Sequence, residues 1–157
     1  MYTDGTDNCG LHGFFFFHLI VKYMKPGEEG GGAKRDNLLY EALTYKIRAA
    51  LFEVHNALGP GFREETYKIA LLAELRRLEI PFEREVETAV KYKGETIDKY
   101  RLDLVVDQKV LLELKAVDEF HPRHEAQLLS YLRASGLRLG LLVNFGSDKL
   151  KIVRKVI

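Results

Sequence analysis

Cysteine is almost absent from this 157-residue chain: Cys9 is the only one. That excludes an internal disulfide framework and a cysteine-rich zinc site, and it fits a reducing, cytoplasmic setting. Net charge is also nearly absent. The 24 basic and 23 acidic residues leave a formal +1, so the chain exerts no general pull on nucleic acid and any such binding must be local. A membrane-length hydrophobic run is missing too. The apolar stretch from Phe14 to Val21 is broken by His18 and too short to span a bilayer. Asp4 and Asp7 precede it where a positive segment would be needed, which reads against a secretory signal. No internal repeat, no Ser-His-Asp or Cys-His arrangement and no sequence-reading motif is evident.

What is there is ordinary for one soluble domain. Hydrophobic content is 46% and charged content 30%, enough to bury a real core. Residues 1–37 differ from the rest, with Gly30-Gly31-Gly32 near their end, and are expected to be a poorly ordered extension. Met24 is a conceivable alternative start, and a lid or edge strand is the other reading of this segment. Residues 38–157 are expected to be the working domain.

The chain is organised around Tyr100 to Ala116. Two β-rich runs, Leu102 to Val106 and Val110 to Ala116, bracket Asp107-Gln108-Lys109, which predicts a hairpin. If Gln108 is the centre of the loop, Asp103 lies across from Glu113. Alternation then puts Lys115 on their face and Leu102, Leu104, Leu112 and Leu114 on the other. A slip of one residue would separate the acids. Opposed carboxylates repel, so neutralising Asp103 is expected to stabilise the protein without metal. A hard divalent cation such as Mg²⁺ or Mn²⁺ would offset the repulsion, and a nearby lysine could orient water or stabilise an oxyanion. The same residues are also compatible with solvated acids, one of them paired with Lys115.

Apolar residues at Ile47, Leu51, Val54 and Leu58 predict a helix ended by Gly59-Pro60-Gly61. His55 beside that stripe reads first as a packing residue. A second helix is predicted from Arg63 to Leu78, with Glu64, Tyr67, Leu71, Leu75 and Leu78 on one stripe. The helix dipole favours an acid in the first turn but does not explain why Glu64 faces inward, where a carboxylate needs a cation or donors. Period-two alternation from Phe82 to Tyr92, a turn at Gly94 and a strand from Thr96 to Val106 complete a three-strand antiparallel meander. A helix from Arg123 to Ala134 puts Gln127 and Tyr131 four apart on one face. Leu139 to Phe145 reads as a central strand and Lys149 to Ile157 as an edge strand.

Aspartate followed by Glu-x-Lys on the next strand resembles the signature of the PD-(D/E)XK nuclease superfamily. Gly61-Phe-Arg-Glu64-Glu-Thr-Tyr67 is literally G-x-x-E-x-x-Y and resembles the motif of the GxxExxY family within it. His55 to Gly61, His124 to Tyr131 and Gly140 to Gly146 are similar to that family as well, so the likeness covers the chain from about Leu38 onward. Leu102 stands where the superfamily's name has proline. Gln127 and Tyr131 resemble the Q-x-x-x-Y element of the RecB-like branch, which lies beside the metal site.

The resemblance implies an α/β fold with a restriction-endonuclease-like core, a mixed β-sheet flanked by helices. It implies hydrolysis of phosphodiester bonds in DNA or RNA. Glu64, Asp103, Glu113 and Lys115 would be catalytic, with the three acids holding Mg²⁺ or Mn²⁺. Lys115 would position water and offset developing charge. Gln127, Tyr131, Tyr67 and His55 would support the site or the substrate. The alternative is a catalytically silent module of the same fold that binds nucleic acid or a protein partner.

Overall fold

The structure is a computed structural model, and residues 38–157 are described. The expectations placed on Phe14–Val21, on Met24 and on the 1–37 extension fall outside the described residues. The elements run α1 (Glu41–Leu58), α2 (Glu64–Arg77), β1 (Phe82–Tyr92), β2 (Glu95–Val106), β3 (Val110–Lys115), α3 (Pro122–Ser135), β4 (Leu139–Asn144) and β5 (Lys151–Val156). This is the predicted α-α-β-β-β-α-β-β order.

Local chemistry sets the boundaries. Gly59, at φ 68° and ψ −177°, takes an extended positive-φ conformation open essentially to glycine alone, and this ends α1. Glu64 and Glu65 open α2, where exposed backbone N–H groups favour negative charge. At the start of α3, His121 Nδ1 accepts from the Arg123 N–H at 3.1 Å, and His124 Nδ1 accepts from the His121 N–H at 3.2 Å. Pro122 follows the cap, where its missing N–H costs nothing.

The five strands form one sheet in the order β1-β2-β3-β4-β5. β1, β2 and β3 are the antiparallel meander, α3 carries the chain across to β4 parallel to β3, and β5 returns antiparallel at the edge. All six residues of β4 are buried, as a strand covered on both faces requires. Helices α1 and α2 cover one face, where Ile47, Leu51, Tyr67, Leu71 and Leu75 pack with Leu104, Leu112, Leu114, Leu141 and Val143. Helix α3 covers the other, where Leu128 and Leu132 pack with Leu102, Val105, Leu111 and Leu142. Gly140 allows the close approach of α3, since a Cβ there would lie 2.8 Å from Leu128 Cδ1.

The β2–β3 register is the one centred on Gln108: Val106 pairs with Val110 and Leu104 with Leu112. Asp107 and Gln108 both take positive φ, 51° and 54°, and the Lys109 N–H donates back to the Val106 carbonyl at 3.0 Å.

One expectation is corrected. Leu102 does not share a face with Leu104: it packs on the α3 side, while Leu104 packs on the α1/α2 side. The partner strand switches at the same level. Arg84 reaches Glu65 of α2, whereas Val86 packs on the α3 side. Between them Glu85 adopts φ 50°, a left-handed conformation that breaks strand alternation. Asp103 stands at this switch, between Leu102 and Leu104.

Candidate active site

The β2–β3 ladder ends at Leu104–Leu112, and the acids stand just beyond it. Asp103 is not bare. Its Oδ1 accepts from Lys68 Nζ at 3.1 Å and its Oδ2 from the Leu114 backbone N–H at 3.2 Å. The carboxylate serves an amide that β2 no longer pairs. Glu113 is only 3% exposed. Its Oε1 accepts from Lys115 Nζ at 2.7 Å, while its Oε2 is buried without a hydrogen-bond partner. Glu64, half-buried in the first turn of α2, acts electrostatically on Asp103, Lys68 and Lys115.

The charges shift one another as burial and proximity dictate. Burial first, then the Asp103 charge, pushes the Glu113 carboxyl up to about 7, against the pull of Lys115. Burial likewise raises Glu64; Lys115 opposes the rise and Asp103 adds to it. For both lysines burial alone would favour the neutral amine, but it is outweighed. Asp103 holds Lys68 above its ordinary value, and Glu113 does the same for Lys115. The result is a half-closed cluster of three acids and two ammonium groups.

The expected repulsion is present, since the Asp103 charge raises both Glu113 and Glu64, but Asp103 is not bare: Lys68 offsets part of its charge. Lys68 escaped the sequence reading. Its signal is helical spacing: it sits four residues after Glu64, on the same side of α2, and a lysine only 7% exposed there needs an anion.

The supporting residues divide into two groups. Tyr67 is fully buried, stacks on Phe145 at 4.7 Å, donates from its hydroxyl to the Gly59 carbonyl at 2.7 Å and accepts from the Phe62 N–H at 3.1 Å. It pins the loop that delivers Glu64. His55 is buried against Phe145 and bonds the Ser147 carbonyl at 3.0 Å, the packing role its place on the stripe predicts. On α3, Gln127 Nε2 donates to the Tyr131 hydroxyl at 2.7 Å, and Tyr131 leans on Tyr100 at 5.1 Å. Burial, then the Lys115 charge, lowers the pKa of His124, one turn before Gln127.

Asn144 also went unread. Fully buried beside Lys115 in the β3–β4 ladder, it accepts from the Val117 and Gly146 N–H groups and donates to the Val117 carbonyl. It ties down the chain leaving Lys115. Gly146 must stay small, since a Cβ would collide with the Val117 backbone.

Among the described residues no three acid, histidine or cysteine side chains are gathered as a ready metal cage. Glu64, Asp103 and Glu113 share one electrostatic cluster, with Lys68 and Lys115 holding two of the carboxylates. The donor chemistry nevertheless fits a hard divalent cation. Glu113 Oε2 is a buried oxygen lacking any donor, and such an atom is costly unless something positive meets it.

An α/β domain that collects acids and lysines at the ends of its central strands is arranged for charge chemistry on a polar substrate. The chain belongs to the PD-(D/E)XK nuclease superfamily, whose model matches residues 41–156. Members of that superfamily generally use divalent metal ions and act on nucleic acid. No curated protein matches the chain. A solved structure described as "Crystal structure of SSO0001" is similar at 21% identity with a TM-score of 0.47, over 74% of this chain and 59% of that one. The chain thus spans less than two thirds of that relative. No helix of the described residues is long and apolar enough to cross a membrane.

Proposed function

We propose that residues 38–157 form a divalent-metal-dependent nuclease domain of the GxxExxY family, in the RecB-like branch. It hydrolyses phosphodiester bonds of DNA or RNA in the cytoplasm, using Mg²⁺ or Mn²⁺. The observation that carries this reading is Glu113 Oε2, buried and unserved beside Asp103 and Lys115. Asp103 and Glu113 would hold the cation, and Glu64 would complete the shell. When bound, it supplies Lewis acidity and positive charge at the scissile phosphate.

The chain's own residues do the rest. Lys115, fixed by Glu113 at 2.7 Å, presents a charged donor that can orient the attacking water and meet charge developing on a phosphate oxygen. Lys68 holds Asp103 in place through its 3.1 Å bond to Oδ1. Tyr67 sets the entry of α2 and hence Glu64, and His55 holds the Ser147 carbonyl behind it. Gln127 and Tyr131 form a bonded pair on α3, one to two turns beyond His124.

The test is cleavage of labelled DNA and RNA with Mg²⁺, Mn²⁺ and EDTA, using wild type, Asp103→Ala and Lys115→Ala. Cation-dependent cutting by wild type, reduced at least about 100-fold in both variants, is expected. If both variants cut at the wild-type rate, the activity is not seated here. Binding without any cutting would favour the silent module.

A further inference from the structure

Between the outer half of the β1–β2 ribbon and the C-terminal half of α3 lies a groove of about 500 Å³, lined by Ala89, Val90, Lys91, Tyr100, Arg133 and Ala134, among others. We propose that this groove is a subsite for single-stranded nucleic acid, holding the strand that leads to or from the candidate active site. The proposal rests on the nuclease reading and adds a substrate class and a path to it.

Three observations converge on it. The first is continuity. Along α3, Gln127 and Tyr131 lie three and seven residues beyond His124 on one side of the helix, and Arg133 and Ala134, further along it, line the groove. At about 1.5 Å per residue, this is about 10 to 15 Å from the site. On the opposite wall Tyr100 precedes Asp103 by three residues, about 10 Å of strand. Both walls therefore lead from the acids to the groove over the same distance, the span of a few nucleotides.

The second is charge. Lys91 and Arg133 have no carboxylate within ion-pair distance among the described residues. Among the neighbouring cations Lys99 pairs with Glu87, Arg84 with Glu65 and Lys155 with Glu125, while Arg101 of β2 and Lys151 of β5 also lack an ion pair among the described residues but do not line the groove. Asp98, the ladder partner of Val90, turns its carboxylate to the Lys99 N–H at 2.7 Å. Two unmatched cations flanking an aromatic ring are the combination that grips a single strand, with phosphates on the cations and a base on the ring.

The third is shape. Next to the groove, Thr88 Oγ1 donates to the Ala134 carbonyl at 3.2 Å and ties β1 to α3. Tyr100 is braced from behind by Tyr131. A volume of about 500 Å³ suits one or two nucleotides but not a duplex, which could only rest across the rim.

The experiment is fluorescence anisotropy in EDTA, so that no cutting intervenes, with labelled oligo-dT, oligo-rU and a duplex of equal length. The proteins are full-length wild type, Lys91→Ala/Arg133→Ala and Tyr100→Ala. Expected are tighter binding of a single strand than of duplex, a loss of about 10-fold or more in the double variant, and a salt slope shallower by about 1.4, two phosphate contacts' worth. Tyr100→Ala should lose about 5- to 100-fold. The dT and rU arms tell which sugar is preferred. Preference for duplex, no single-strand binding by wild type, or unchanged affinity and slope in a double variant with wild-type circular dichroism would each overturn the proposal. Cleavage by wild type in the separate assay would then leave the nuclease reading standing. Groove-dependent binding without cleavage would do the reverse.

Discussion

The two halves of the sheet are built to opposite rules. β3 and β4 have six residues each and are buried almost throughout. β1 and β2 run 11 and 12 residues; β1 has no fully buried residue and β2 is exposed over its outer half, with Tyr92 61% and Ile97 62% exposed. The inner pair is packed on both faces and carries charge only at its end, where low dielectric strengthens every interaction. The outer pair presents charge to water, where each interaction is weak. The face switch at Glu85 and Asp103 lies within the outer pair, just past the end of the β2–β3 ladder. A site that must perturb its acids belongs at the end of the first region, and a surface that must grip a flexible strand belongs on the second.

The comparison breaks first on packing. Leu141→Ala on β4 should cost about 2 to 5 kcal/mol, because the leucine is 2% exposed between α1/α2 and the sheet. Ile97→Ala on the ribbon should stay within about 0.5 kcal/mol. Urea denaturation of both variants measures the contrast, and equal losses would mean that the ribbon is part of the core.

The electrostatics give the next largest effect. Glu113 rises from an ordinary 4.5 to about 7 on folding, so the folded state binds the extra proton. The stability this contributes is fully present below about pH 4.5 and is lost as pH rises through about 7, for a total of about 3 kcal/mol. Glu113→Gln should therefore gain stability relative to wild type at pH 8 and little at pH 4.5, in metal-free melts. A gain independent of pH would show that Glu113 is ionised throughout.

Smaller still is Asp103→Asn. Opposed acids alone would make this change stabilising. With Lys68 bonded to Asp103 and nearly buried, it should instead cost about 1 to 2 kcal/mol. It should also lower the Glu113 pKa, since Asp103 helps to raise it. Carboxyl titration of the variant by NMR reads that second effect, which loss of packing alone would not produce.

These contrasts also mark how far the sequence could be read. The hairpin register was legible because three polar residues interrupt two β-rich runs. The stripe of α2 was legible because Tyr67, Leu71 and Leu75 repeat at helical spacing. The face switch was not, because Glu85 takes positive φ without the glycine that would advertise it. Lys68 was missed because an apolar stripe was sought and a lysine beside it passed as solvated. Asn144 was missed because an amide inside an apolar run carries no sign of the backbone it ties.

The central claim is that Glu113 keeps a buried oxygen for a divalent cation, and calorimetric titration of Mn²⁺ into wild type and Glu113→Gln at pH 6 and pH 8 tests it most directly. Because the Glu113 proton must leave for the cation to bind, wild type should bind more tightly at pH 8 by about 10-fold. Glu113→Gln should bind weakly or not at all, with little dependence on pH. Equal Mn²⁺ affinity in the two proteins, or wild-type binding that does not change between pH 6 and 8, would contradict the account.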